Sequence, residues 1–349
     1  MRTMTATDLD GHSLVTPEAI EADPLRWGRR DEAGALDAET ALGTLALTLD
    51  LAAQGFENGR SATGVIAKLA EATHRLRRAC DPTVWSALLE FARAHRVMEH
   101  LLEDPFTRWS FTKPRGYSGD AHLLDFIYGH ESTAAETAEA SDRGREIFAH
   151  TTNASSSVAV RERREILAGL VDEAAARVPG PEVLAIAAGH LREAALSAAH
   201  ARGAVRRWVA LDQDPLSVGS MLRDNAGTAV EPQDGSVRGL IRRAHKLGTF
   251  DLVYAAGLYD YLPDAVAVRL TQRCMEMVRP GGTFLFANFS DETRVDGYMD
   301  MFMNWELLLR DEAAMWAIVN RSVDRNQVDA KVWFGGNRDV VYAALTKRA

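Results

Sequence analysis

Two different periods divide the chain. From Asp37 to about Arg177, apolar residues recur three and four apart, the spacing of one face of an α-helix. The segment DAETALGTLALTLDLAAQGF offers Asp37 as an N-cap with Glu39 in the first turn, and sets Leu42, Leu45, Leu49 and Phe56 near one face. DPTVWSALLEFARAHRVMEHLL opens with Asp81 as N-cap and Pro82 at the first helical position, where the missing N–H removes no bond. In VAVRERREILAGLVDEAAARV, Ile166, Leu170 and Ala174 share a stripe with Leu167 and Val171. Neither a strand pattern nor an internal repeat stands out in this half. Residues 1–35 mix Asp, Glu, Arg, Pro and Gly without a period, the pattern of an arm with little to bury.

The pattern changes at Pro179-Gly180-Pro181. After it, short β-type runs alternate with helical stretches: EVLAIAA, LREAALSAAHAR, RRWVALD, PLSVGSMLRD, FDLVYAAG, PDAVAVRLTQRCMEMV and GTFLFANF. Such alternation predicts a parallel sheet with crossover helices. The tail, DAKVWFG and DVVYAALTK joined through Gly336-Asn337, predicts an antiparallel hairpin. The expected organisation is an arm over 1–35, an all-α domain over 36–178 and an α/β domain over 179–349.

Bulk properties narrow the partners. The 349 residues suffice for two domains, and 46% hydrophobic with 26% charged residues is ordinary globular composition. A net charge of −9 argues against nucleic acid or an anionic membrane as partner. Cys80 and Cys274 form no C-x-x-C pair, no apolar run reaches membrane length and the N-terminus has no signal-type core, so a cytoplasmic location is expected. The ten histidines show no metal spacing, with His95 and His100 diverging on a helix, so no metal is expected. Hydrolase, kinase and Cys-His nucleophile motifs are absent. Composition leaves the oligomeric state open.

A doubly wound parallel sheet that ends in an antiparallel hairpin is the layout of class I methyltransferases, and the strand ends resemble theirs. VLAIAAGHL (183–191) is similar to the family's V-L-D-L-G-C-G-x-G loop. Of its glycines only Gly189 survives. Ala187 and Ala188 are small substitutes, Leu191 stands at the last glycine position, and Ala185 stands where most of the family carries an acid. His190 is a candidate for the methionine carboxylate of the cofactor, or simply fills the turn. Asp212 ends RRWVALDQD, 23 residues after Gly189 (212 − 189), close to the spacing of a ribose-binding acid, with Gln213 beside it. Asp214 is well placed to cap the next helix. Asp234 and Gly235 stand where the family often recognises adenine, though Asp234 also suits a turn and cap. FDLVYAAGLYDYLPD (250–264) and VRPGGTFLFANFS (278–290) match the fourth and fifth strands of the family. Ala255, Ala256 and Gly257 keep the strand end small, and Pro280-Gly281-Gly282 is read as a turn after the helix. The resemblance therefore implies S-adenosylmethionine as cofactor and a Rossmann-like sheet.

Two further strings, KPRGYSGDAHLLDFIYG (113–129) and GYMDMFMNWELLLRDE (297–312), with GLYDYLPD, resemble the bacterial family that includes the extracellular-factor methyltransferases, which form 3-hydroxy-fatty-acid methyl esters. In such proteins the helical region looks like a lid over the cofactor. Lys113, Arg115, Tyr117 and Asp120 concentrate polar and aromatic groups on glycine-broken backbone. The functional reading sets Tyr117 against the sulfonium and Arg115 at a carboxylate of cofactor or substrate. The plain reading is a domain-docking turn with Asp120 capping HLLDFIY. Tyr259, Asp260 and Tyr261 are expected to line the donor methyl, and Asn288 to orient an amine or carboxylate. YMDMFMNWELLLR is read as mostly an amphipathic helix. Within it Met299, Met303 and Trp305 are candidates for an apolar acceptor cavity, while Met301, Phe302, Leu308 and Leu309 are core, and Arg310 is a carboxylate candidate.

Methyl transfer from an already activated sulfonium needs alignment and exclusion of water more than a nucleophile. The first reading is therefore methyl transfer to a small carboxylated or polar-headed metabolite. A second cyclises S-adenosylmethionine itself to azetidine-2-carboxylate and methylthioadenosine, with Tyr117, Tyr259, Tyr261 and Asn288 as the clamp. A third is a non-catalytic nucleotide-binding module, which Ala185 and the missing glycines favour.

Overall fold

The computed structural model describes residue 20, residues 23–28 and residues 36–348; apart from these few positions, the arm expected over 1–35 lies outside the described residues. The chain divides into two compact units, one built on Ala159–Ser290 and Leu308–Ala349, the other on Pro24–Val158 and Asp291–Leu307.

The first unit is a seven-stranded Rossmann-like sheet with helices, ordered β3-β2-β1-β4-β5-β7-β6. Its strands are β1 (Glu182–Ile186), β2 (Arg207–Asp212), β3 (Val230–Asp234), β4 (Phe250–Ala255), β5 (Val278–Phe289), β6 (Val328–Phe334) and β7 (Val340–Lys347). The first five pair in parallel, while β7 runs antiparallel to both β5 and β6. This is the parallel sheet with an antiparallel end that the alternation of short strands and helices and the tail hairpin predict. Alternate residues Leu184 and Ile186, Val209 and Leu211, Val253 and Ala255, and Phe284 and Phe286 build one core cluster. The residues between them are buried as well, so both faces of the sheet are covered. Pro280-Gly281-Gly282 departs from the expected turn: the helix already ends at Met277, and the three residues sit within β5 as a break in register, between the pairs Phe250↔Val278 and Leu252↔Thr283.

The second unit is helical. It holds α1 (Ala38–Glu57), α2 (Ala62–Ala79), α3 (Pro82–Arg93), α4 (Val97–Leu101), α5 (Pro105–Thr112), α6 (Ala121–Tyr128), α7 (Ala134–Glu139) and α8 (Asp142–Thr151). The long α9 (Ser155–Arg177) leads into the sheet unit, which adds α10 (Ala198–Ala201), α11 (Pro215–Asp224), α12 (Val237–Ile241) and α13 (Asp264–Met277). Asp37, Asp81 and Asp120 cap their helices as their positions predict. Leu42 does not join the α1 stripe. The buried set is Ala41, Leu45, Leu49, Ala52, Ala53 and Phe56, and Leu42 is turned ~100° from Ala41 and stays exposed.

The segment after β5 returns to the helical unit as α14 (Asp296–Phe302), and α15 (Glu312–Ser322) belongs to the sheet unit. The long amphipathic helix expected over 298–310 is cut short at Phe302, with Asn304 in a left-handed conformation (φ 50°). Nearly all of 296–303 is buried, so no polar face exists to sustain a surface helix. Charged side chains hold α14 against its own unit: Asp296 bonds Arg77 and His74 (both 2.6 Å), while Asp300 accepts from Trp85 Nε1 (2.8 Å) and pairs with Arg26 (3.3 Å). The approach of α14 to α2 is close enough that a Cβ on Gly297 would stand 2.4 Å from the Thr73 carbonyl carbon. Gly297→Ala should therefore destabilise the helical unit by roughly 2–3 kcal/mol, measured by urea denaturation followed by circular dichroism. An unchanged midpoint would contradict this packing.

Candidate functional site

The carboxyl ends of β3, β2, β1 and β4 are neighbours in the sheet, and three of the loops leaving them meet at one carboxylate. Asp212, the last residue of β2, is buried. Its Oδ2 accepts the Gly189 N–H at 2.7 Å, in the turn after β1, and its Oδ1 accepts the Asp214 N–H at 2.9 Å. Its main-chain carbonyl accepts the Gly235 N–H at 3.0 Å, just past β3. Burial pushes the Asp212 carboxyl up to about 6 despite its two N–H donors. Each carboxylate oxygen can accept a further bond, which suits a pair of vicinal hydroxyls.

The turn after β1 keeps the backbone of a three-glycine loop with only one glycine. Ala187, Gly189 and Leu191 all adopt left-handed φ values, 51°, 57° and 53°. For Ala187 and Leu191 this costs about 1–2 kcal/mol each, strain that the surrounding structure must hold. It is held by the Gly189 bond to Asp212, by Ala188 N–H to the Leu211 carbonyl (3.1 Å), and by the burial of Leu191. His190 is buried too, its Nδ1 3.3 Å from Arg192, which pairs with Asp224 at 2.7 Å.

Asp214 caps α11, as read from the sequence. Asp234 is exposed at the end of β3, and the cap of α12 is Ser236, which accepts the Gly239 N–H. Gln213 is half-buried. A Cβ on Gly235 would meet Leu211 at 2.5 Å and the His245 ring at 2.8 Å, so His245 requires this glycine.

At the end of β4, Ala255 and Ala256 are buried and Gly257 is half-buried. A Cβ on Gly257 would lie 3.5 Å from the guanidinium of Arg163, which comes from α9. Asp260 Oδ1 accepts the Phe289 N–H at 2.5 Å, and its Oδ2 stands 3.9 Å from Arg163. Burial pushes Asp260, like Asp212, up to about 6. Tyr261 is half-buried. Tyr259 lies in the core, its ring stacked 4.3 Å from Phe286 and its hydroxyl 2.7 Å from Thr271. Asn288 is fully buried: its amide nitrogen donates to the Phe289 and Leu308 carbonyls, and its oxygen accepts from Arg310 at 2.6 Å. Arg310 also bonds the Tyr259 and Leu262 carbonyls and Asp264. Tyr259, Asn288 and Arg310, read from the sequence as ligand contacts, thus spend polar side-chain atoms on partners inside the sheet unit.

In the helical unit, Lys113, Gly116 and Gly119 all have positive φ. Asp120 caps α6, accepts from Trp109 Nε1 at 2.9 Å and faces Arg115 at 3.9 Å, while Tyr117 is half-buried. Met299, Met303 and Trp305 are buried, with the Met303 carbonyl accepting from Ser110 (2.7 Å) and Trp305 edge-on to Phe106.

Sequence reasoning missed Arg163, Glu193 and His245. Glu193 is buried, accepts the Tyr254 hydroxyl at 2.6 Å, and has its carboxyl raised by burial. A signal for Arg163 was present: it falls on the stripe of Val160, Leu167, Val171 and Ala174, where an arginine breaks the apolar rule. Among the described residues no cluster of His, Cys, Asp or Glu could hold a metal ion, and no helix is long and apolar enough to cross a membrane.

No family model matches the chain, and no curated protein matches it. Solved structures do. A possible exported protein from Bordetella parapertussis is similar at 18% identity and a TM-score of 0.53, over 88% of this chain and 97% of that one. The N-methyltransferase NodS from Bradyrhizobium japonicum WM9, in complex with S-adenosyl-L-homocysteine, aligns at 17% identity and a TM-score of 0.40, over 64% and 100%. The plantazolicin methyltransferase BamL aligns at 8% identity and a TM-score of 0.45, over 72% and 98%. At these identities the first likeness speaks for a shared fold alone.

The raised Asp212 carboxyl has a consequence for stability. The folded chain holds this proton to higher pH than the unfolded chain, so the contribution is fully present below about pH 4 and is lost as pH rises through 6. Asp212→Asn removes that dependence. Relative to wild type, the variant should gain roughly 2–3 kcal/mol between pH 4 and 7, read from denaturation midpoints across that range. A difference that stays flat with pH would mean that Asp212 ionises normally.

Proposed function

We propose that the chain binds S-adenosylmethionine at the carboxyl ends of β1, β2 and β4 and transfers its methyl group to a small carboxylated or polar-headed metabolite. One observation carries the reading. Asp212 ends β2 with both oxygens tied to loop N–H groups and capacity left for ribose hydroxyls, beside a turn that keeps the left-handed backbone of a glycine loop. When bound, the cofactor supplies an activated methyl group on sulfur. The residues of the chain hold it, align it and exclude water.

Gly189 and Ala187 let the ligand approach the main chain, Asp212 takes the ribose, and Gly235 with Gln213 and Asp234 borders the base. Ala255, Ala256 and Gly257 leave room beside the amino-acid arm. Asn288 and Arg310 act as positioning residues: Arg310 clamps the Tyr259–Asp264 loop by three hydrogen bonds and donates a fourth to Asn288. A carboxylate acceptor needs no base at neutral pH. For a hydroxyl or amine acceptor, Asp260 with its raised carboxyl is the base in this reading. The cyclisation reading has less support, because Tyr259 and Asn288 already have internal partners.

Calorimetry should find binding of S-adenosylmethionine or S-adenosylhomocysteine. Asp212→Ala should weaken it by roughly 2–3 kcal/mol, about 30- to 150-fold. Unchanged affinity would remove Asp212 from the ribose role, and a preference for NAD would overturn the cofactor assignment.

The reaction is tested separately. Purified protein incubated with S-adenosylmethionine and no second substrate should consume little of it beyond a buffer control. Rapid enzyme-dependent release of methylthioadenosine would replace methyl transfer with cyclisation.

A further inference from the structure

Arg163 occupies a core position of α9, on the buried stripe with Val160, Leu167, Val171 and Ala174. Its side chain is 5% exposed, and its Nη1 has no hydrogen-bond partner among the described residues. The nearby acid, Asp260, stays 3.9 Å away and spends its other oxygen on the Phe289 N–H. A buried guanidinium nitrogen with no hydrogen-bond acceptor is costly, and native structures rarely keep one without a reason. Arg310 in the same unit makes the contrast, because both of its terminal nitrogens are bonded.

The position of Arg163 indicates what is missing. Its head lies against Gly257 at the end of β4, where an added Cβ would touch the guanidinium at 3.5 Å, and near Glu193, which follows the β1 turn. Asp212 lies two strands away, across β1, a span of ~10 Å. A nucleoside whose ribose sits at Asp212 and whose methionine arm crosses β1 would end its carboxylate at Arg163. The planar fork of arginine suits that group, since it can donate two parallel bonds to a carboxylate.

We propose that Arg163 is the counter-ion of the carboxylate at the amino-acid end of the bound cofactor. This rests on the reading of the site as one for S-adenosylmethionine, and the test separates the two. S-adenosylhomocysteine carries the carboxylate. 5′-Methylthioadenosine keeps the nucleoside and sulfur but lacks the amino-acid arm. Affinities of both are measured by calorimetry for the wild type, Arg163→Gln and Arg163→Lys, with a melting curve for each protein. Arg163→Gln should weaken S-adenosylhomocysteine roughly 10- to 100-fold and leave 5′-methylthioadenosine within about twofold, with Arg163→Lys in between. Should Arg163→Gln not fold, Arg163→Lys carries the same comparison. Equal losses for the two ligands, or none for either, would overturn the assignment and leave Arg163 a packing residue. Failure of the wild type to bind S-adenosylhomocysteine would instead overturn the cofactor reading on which it stands.

Discussion

The strand-end site depends on a single buried carboxylate. Asp212 accepts main-chain N–H groups from the turns after β1 and β2, and its own carbonyl receives one from the turn after β3. Without it the Gly189 and Asp214 N–H groups would lose their acceptor, at a cost of order 1–3 kcal/mol each where they are shielded from water. The bonds favour the charged form, yet burial outweighs them and holds the carboxyl near 6. A group so placed is held in position by the main chain while its protonation remains sensitive to whatever binds beside it.

That carboxylate also explains how the β1 turn holds left-handed backbone at residues other than glycine. Ala187 and Leu191 bear left-handed φ values that a side chain disfavours. Leu191 offsets the strain through its own burial, and the Asp212 and Leu211 acceptors fix Gly189 and Ala188. The turn thus holds left-handed backbone at two residue types that disfavour it. The exposed Ala187 keeps its side chain to a single methyl, so the main chain remains approachable at that point.

Buried arginines do different work in different places. Arg310 binds the β4 and β5 loops together through three carbonyls or amides and Asp264. In the helical unit, Arg77 and Arg26 are matched by Asp296 and Asp300 on α14, and Trp85 donates to the same Asp300. These ions are buried with partners, as burial demands. Arg163 departs from the pattern by leaving a terminal nitrogen without a hydrogen-bond partner, and a departure from local rules beside the strand ends is where function is expected.

Much of the fold was legible in the chain. Alternating short strands and helices after Pro179, followed by two strands around Gly336-Asn337, suffice for a parallel sheet with an antiparallel end, because each element's period and length follow from its own residues. Asp212 and Gly189 were legible for the same reason, since their spacing is that of one crossover and one strand. What only the tertiary structure decided is which polar side chains face a ligand and which face one another. Asn288, Tyr259 and Arg310 carry the right chemistry but meet partners as far as 51 positions away, and Arg163 has the wrong chemistry for its helical stripe until β4 is laid beside it. Local periodicity reports the face on which a residue sits. The partner on that face comes from a distant part of the chain, and no local pattern encodes the distance between them.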